Sequence, residues 1–191
     1  MTLFEFLMAI ASVVIAIALT EIFGGWGHLL RTHILPKIDW LHLCWTLVVV
    51  LYAIQYWVGI WPYLNVEFRY IYQVWFLIFP TLFIVLVSFA ITPDIDPDEN
   101  FNLREYYLSR RGPIFFGLAA FLAMAQLADL IIPGVSFEYT NPSSYLGVGL
   151  IVIAIIPAVS KKIWMHTSVL IVNLLFVLSI GFGYLPSGLS T

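Results

Sequence analysis

From Phe6 to Leu19 the chain runs without one charged residue, and comparable apolar stretches recur along its length, at about 41–61, 71–91, 114–132, 144–160 and 163–184. Counting the first as 3–23, that makes six segments, each close to the roughly 20 apolar residues a helix needs to cross a ~30 Å hydrocarbon layer. This pattern restricts the fold more than any other feature. In lipid every backbone polar group must be satisfied within the protein, which leaves helices or closed barrels. A barrel strand would alternate apolar and polar residues. The run Leu47-Val48-Val49-Val50-Leu51 does not alternate. The expectation is therefore an all-α, polytopic transmembrane bundle of about six spans, with residues 1–191 forming one integral membrane domain.

Composition agrees. Of 191 residues, 62% are apolar and 10% charged, and mean hydropathy is +0.98. A soluble domain carries about 25% charge. The same numbers exclude a disordered chain and a basic nucleic-acid-binding face. The lone Cys44 excludes an internal disulfide framework.

Proline marks the expected ends. The second span closes at Trp61-Pro62, the third at Thr92-Pro93 and the fourth at Pro133-Gly134. The fifth is short and contains Pro157, so a kinked or re-entrant segment, and with it a five-span count, stays open. No Lys or Arg precedes the first apolar run; the first basic residue is Arg31. That polarity is wrong for a cleaved signal, so this segment is expected to remain as a span.

Basic residues set the expected orientation. Arg31, Lys37, Arg104, Arg110, Arg111, Lys161 and Lys162 fall in the loops after spans one, three and five, against Arg69 alone on the other side. The odd loops are thus expected in the cytoplasm and both termini outside. Trp26, Trp40 and Trp164 would anchor the inner boundary, and Trp57, Trp61 and Trp75 the outer one.

Two chemical readings compete in the longest polar stretch, from Thr92 to Pro113. Asp94, Asp96, Asp98 and Glu105 occupy positions 1, 3, 5 and 12 of a calcium-binding loop. Against calcium, Glu99 stands where the loop needs glycine, and Pro97 stiffens position 4. The other reading is a capping-box start, Asn102-x-x-Glu105, for a short interfacial helix over 103–111. Leu103, Tyr106 and Tyr107 would then lie on the membrane surface while Arg104, Arg110 and Arg111 meet lipid phosphates.

Within the spans the only charges are Glu5, Glu21 and Asp129, all near span ends. Ionisable residues in spans mark functional candidates. Glu21 precedes Gly24-Gly25-Trp26-Gly27-His28. If the helix continues, His28 shares its face seven residues on, and the glycines admit a neighbouring helix. Such a carboxylate–imidazole pair can gate or relay protons; the plainer reading is packing. In span four, Gln126 and Asp129 share a side with Ala119 and Ala123, a face directed at protein rather than lipid. Glu21, His28, Gln126 and Asp129 are thus the candidate polar site. Only Asn173 lies near mid-membrane, so a continuous ion path would be thin.

His42 with His166 is the one pair placed for bis-histidine haem ligation, without a spacing motif to support it. His-Glu-x-x-His, G-x-S-x-G, P-loop and dinucleotide fingerprints are all missing, so neither enzymatic activity nor a cofactor is expected.

The run from Ala18 to Arg31 (ALTEIFGGWGHLLR), with Trp57-Val58-Gly59-Ile60-Trp61 and Leu103-Arg104-Glu105-Tyr106-Tyr107 followed by Arg110-Arg111, resembles a family of small bacterial multi-pass inner-membrane proteins. The likeness covers the first two-thirds of the chain. It implies a bacterial inner membrane and brings no activity with it. Together these expectations describe a non-enzymatic inner-membrane protein, a homo-oligomer or an accessory or scaffold subunit, with the bilayer as its partner. The alternative is a small ion- or proton-conducting channel or transporter.

Overall fold

The computed structural model describes residues 2–31, 38–93, 102–132 and 142–183, with backbone alone for 142–145 and 181–183. They are helical: α1 (Leu3–Arg31), α2 (Trp40–Gly59), a short 3-10 helix (Trp61–Asn65), α3 (Ile71–Ile91), α4 (Leu103–Ile131), α5 (Pro142–Val159) and α6 (Ile163–Gly183). Five of the helical segments are long and apolar enough to cross a membrane. The chain is a polytopic helical membrane protein by that criterion. The sixth helix, α5, is uninterrupted, with Pro157 in its last turn. At 1.5 Å per residue its length is about 27 Å, just short of the hydrocarbon layer.

The helix ends follow local chemistry. Thr2 and Glu5 cap α1 reciprocally, the Thr2 N–H donating to Glu5 Oε2 and the Glu5 N–H to Thr2 Oγ1. Gln73 Oε1 receives the Arg69 and Tyr70 amides at the start of α3. Pro62 in the first turn of the 3-10 helix and Pro93 after α3 stand where those helices had to begin or end.

Two expectations about helix extent need correction. α1 does not stop at residue 23 but continues through its glycines to Arg31. The segment 103–111 is not a separate interfacial helix. It begins as its cap pattern requires, with Asn102 Oδ1 accepting the Arg104 N–H and Asn102 Nδ2 reaching Glu105 Oε1. It then runs through Pro113 to Ile131 as one helix. One missing backbone bond at Pro113 costs less than parting two halves that are both anchored in the bundle. On one side Leu103 and Tyr107 are fully buried, and on the other Phe115 meets Trp45 edge-on, ring centres 4.6 Å apart. Leu103 and Tyr107 therefore face protein, not the membrane surface.

α4 packs most extensively, against α3 and α5, and α1 packs on α3. Gly117 of α4 lets Val87 of α3 approach so closely that a Cβ would lie 2.7 Å from its methyl. The core runs from Ile15 and Ala18 through Trp45, Val48, Ile84 and Phe115 to Ala154 and Leu170. A second, smaller cluster around Phe4, Leu7, Tyr63 and Leu77 closes one end. The two ends of the bundle are distinct. At one, Asp39, Thr92, Arg104, Ser160 and His166 come together (the basic end); at the other, Tyr63, Gln73 and Asp129 do.

Candidate functional site

Four side chains stand out from the sequence, and the fold separates them into two pairs at opposite ends. Glu21 and His28 lie on one face of α1 and line a single cleft of about 450 Å³ against the end of α3, near the basic end. The glycines between them behave differently. Thr92 of α3 presses on Gly25, where a Cβ would stand 2.2 Å from its Cγ2, whereas Gly24 and Gly27 have nothing within 4 Å. Close approach is thus made at one glycine of the three, and the others leave the cleft open.

Gln126 and Asp129 face different neighbours. Gln126 lies over Gly147 of α5, where any Cβ would come within 2.6 Å of Nε2, and its Oε1 is buried without a partner. Asp129 Oδ1 accepts the Tyr63 hydroxyl at 2.5 Å. Both point into protein, Gln126 towards α5 and Asp129 towards the 3-10 helix that follows α2.

Further buried polar groups lie at the basic end. Asp39, immediately before α2, is 3% exposed and pairs with Arg104 of α4. Arg104 Nε and Nη2 both donate to Oδ1, at 3.1 and 2.9 Å, and Oδ2 is left buried without a partner. Arg104 is therefore spent on protein rather than lipid phosphate. Asp39 reads as a loop residue in sequence, and only its place at a helix start hints otherwise. One turn on, His42 Nε2 donates to the Ile91 carbonyl at 2.8 Å. Its Nδ1 is buried and unpartnered, as is Trp45 Nε1 a further turn along.

Tyr107 lies between the two buried histidines, its ring centre 6.4 Å from that of His42 and 5.4 Å from that of His166. His166 Nε2 faces the Ser160 carbonyl at 2.8 Å, which can only accept, so Nε2 carries the proton and Nδ1 accepts the Tyr107 hydroxyl at 2.6 Å. Both His166 nitrogens are thereby committed, which works against haem ligation by His42 and His166. Among the described residues no group of three His, Cys, Asp or Glu side chains is placed to hold a metal ion. The calcium candidates Asp94, Asp96 and Asp98 lie outside the described residues; Glu105 is in the first turn of α4, engaged with Asn102.

Along its second half α2 acts as a polar hub. Tyr52 donates to Asn173 Oδ1 of α6 at 2.8 Å, and Asn173 Nδ2 donates to Val169 of its own helix. Gln55 donates to the Val177 carbonyl of α6, Tyr56 to Leu77 of α3, and Trp57 to Ser12 of α1. Comparison with protein-family models, with curated proteins and with solved structures gives no match. The chemistry of the site accordingly rests on its own geometry. That geometry combines a set of interhelical polar clamps radiating from α2 with an open polar cleft on α1.

Proposed function

We propose that this chain is a non-enzymatic scaffold or accessory subunit of a bacterial inner membrane, with both termini outside and self-association or a membrane partner as its working state. The observation that carries the reading is the state of Asn173. It lies midway along α6, it is fully buried, and both ends of its amide are bound within the bundle, to Tyr52 and to Val169. A conducting path needs polar groups free to meet an ion or water along its depth. Here Tyr52, Gln55, Tyr56 and Trp57 are each engaged with a neighbouring helix, as interhelical clamps worth about 0.6 kcal/mol each. Such clamps fix helix rotation and depth, which is what a surface presented to a partner requires.

The rival, a small channel or transporter, draws on the cleft holding Glu21 and His28. Flux assays in proteoliposomes separate the two. Wild type, Glu21→Gln and Asp129→Asn are all expected to match empty liposomes for protons and alkali cations. A wild-type flux abolished by Glu21→Gln would overturn the scaffold reading. Single-molecule photobleaching in native-membrane discs tests association, with more than one copy per disc, or a co-purifying membrane protein, as the expected result.

A further inference from the structure

The cleft between α1 and α3 is not used by the clamps, and three features mark it as a binding site. Glu21 and His28, both lining it, make no hydrogen bond or ion pair among the described residues. Thr92 also lines it, is 7% exposed, and has a buried Oγ1 with no partner. Its methyl is seated against Gly25 and its carbonyl receives the Tyr106 hydroxyl at 2.9 Å, so the residue is held in place. The cleft is also open to the bilayer side of the bundle, because Phe89 on its wall is half exposed.

Depth and charge define the occupant. α1 is 29 residues long, about 43 Å, so its last turns, with His28 and Arg31, reach headgroup level. Glu21 lies seven residues, or about 10 Å, deeper along the same face. Among the described residues, Glu21 is the only acidic side chain lining the cleft, and no Lys or Arg lines it. A cation is required, yet hard divalent ions take six or more oxygens, several of them carboxylates. A primary ammonium has three N–H donors, matched by the Glu21 carboxylate and the hydroxyls of Thr20 and Thr92. His28 at the mouth, with Arg31 one turn on, suits the phosphate that follows the amine in a phospholipid.

We propose that the α1–α3 cleft binds the primary ammonium of a phosphoethanolamine lipid headgroup, with Glu21 as its counter-ion, Thr20 and Thr92 as further acceptors, and His28 at the phosphate. This site is independent of the scaffold reading and survives its failure.

Native mass spectrometry of the full chain in nanodiscs tests it, comparing phosphatidylethanolamine with phosphatidylcholine, whose quaternary ammonium cannot donate, and with phosphatidylglycerol. Phosphatidylethanolamine is expected to be retained roughly tenfold over either, the worth of one charge-assisted hydrogen bond. Glu21→Gln should abolish the preference, and Thr92→Val should lower it while leaving the unfolding midpoint unchanged. Should Glu21→Gln not fold, Thr92→Val carries the test. Equal retention of the three lipids, or wild-type preference in both variants, overturns the proposal. Free ethanolamine binding as tightly as the lipid would move the ammonium to a soluble source and overturn the lipid assignment.

Discussion

The hydroxyl of Tyr107 donates to Nδ1 of His166 across 2.6 Å, and this one bond joins the basic ends of α4 and α6. Because His166 Nε2 is already given to the Ser160 carbonyl, the imidazole is held as a single neutral tautomer. Tyr107→Phe keeps the ring and strands Nδ1 in a buried setting. A loss of about 1–3 kcal/mol is expected. Reversible unfolding in mixed micelles measures it; an unchanged midpoint would mean that the bond contributes nothing net.

Asp39 and Arg104 should behave as a coupled pair. Arg104→Ala leaves a nearly fully buried carboxylate without its cation. Fully buried pairs lose about 3–5 kcal/mol on removal of one partner. Arg104 is itself well exposed, so the expected loss is smaller, on the order of 2 kcal/mol. The double variant Asp39→Asn with Arg104→Ala should be more stable than Arg104→Ala alone, and a double-mutant cycle reads the difference. Strict additivity would contradict the pairing.

The glycines of α1 predict a contrast. Gly25→Ala drives a methyl into Thr92 and should cost about 1–3 kcal/mol. Thr92→Ser removes the opposing methyl and should restore much of it. Gly24→Ala meets nothing within 4 Å and should be neutral or stabilising by up to about 1 kcal/mol. Equal effects at Gly24 and Gly25 would refute this account of the α1–α3 contact.

Gly147 offers a gentler case, since the group it would strike is the end of a flexible side chain, Gln126. Gly147→Ala should be tolerated by displacement of the amide, whereas Gly147→Leu should separate α4 from α5. Cysteine cross-linking between those helices measures the separation, and Gln126→Ala should recover part of it.

Tyr52→Phe removes the clamp on Asn173 at mid-bundle. Interhelical hydrogen bonds in membranes average about 0.6 kcal/mol, so the stability loss should be small. On the scaffold reading no ion flux appears in this variant.

Much of the architecture is legible in the residues. The helical class, the ends at Thr92 and Ile132 and the cap at Asn102 follow from apolar run length and from local hydrogen-bonding chemistry. That Glu21 and His28 share one face of α1 is also readable, because it depends only on helix periodicity. Arg104 and Tyr107 were not. The same cap pattern begins a surface helix or the first turn of a long one, and only the buried Asp39 and His166 tell these apart.

What the sequence by itself determined is that the chain is a set of apolar helices and roughly where they begin and end, except for the end of α1 and the start of α4. The reason is that a backbone in hydrocarbon has no other way to satisfy its hydrogen bonds. What only the tertiary structure decided is which face of each helix turns inward. In a soluble protein, polar and apolar faces announce that choice. In lipid both faces are apolar: on α3, Leu86 is largely exposed and its neighbour Val87 fully buried, with nothing in residue type to separate them. The polar partners are equally hidden, because Tyr52 and Asn173 are 121 positions apart and meet only when α2 and α6 are set at matching depth and rotation.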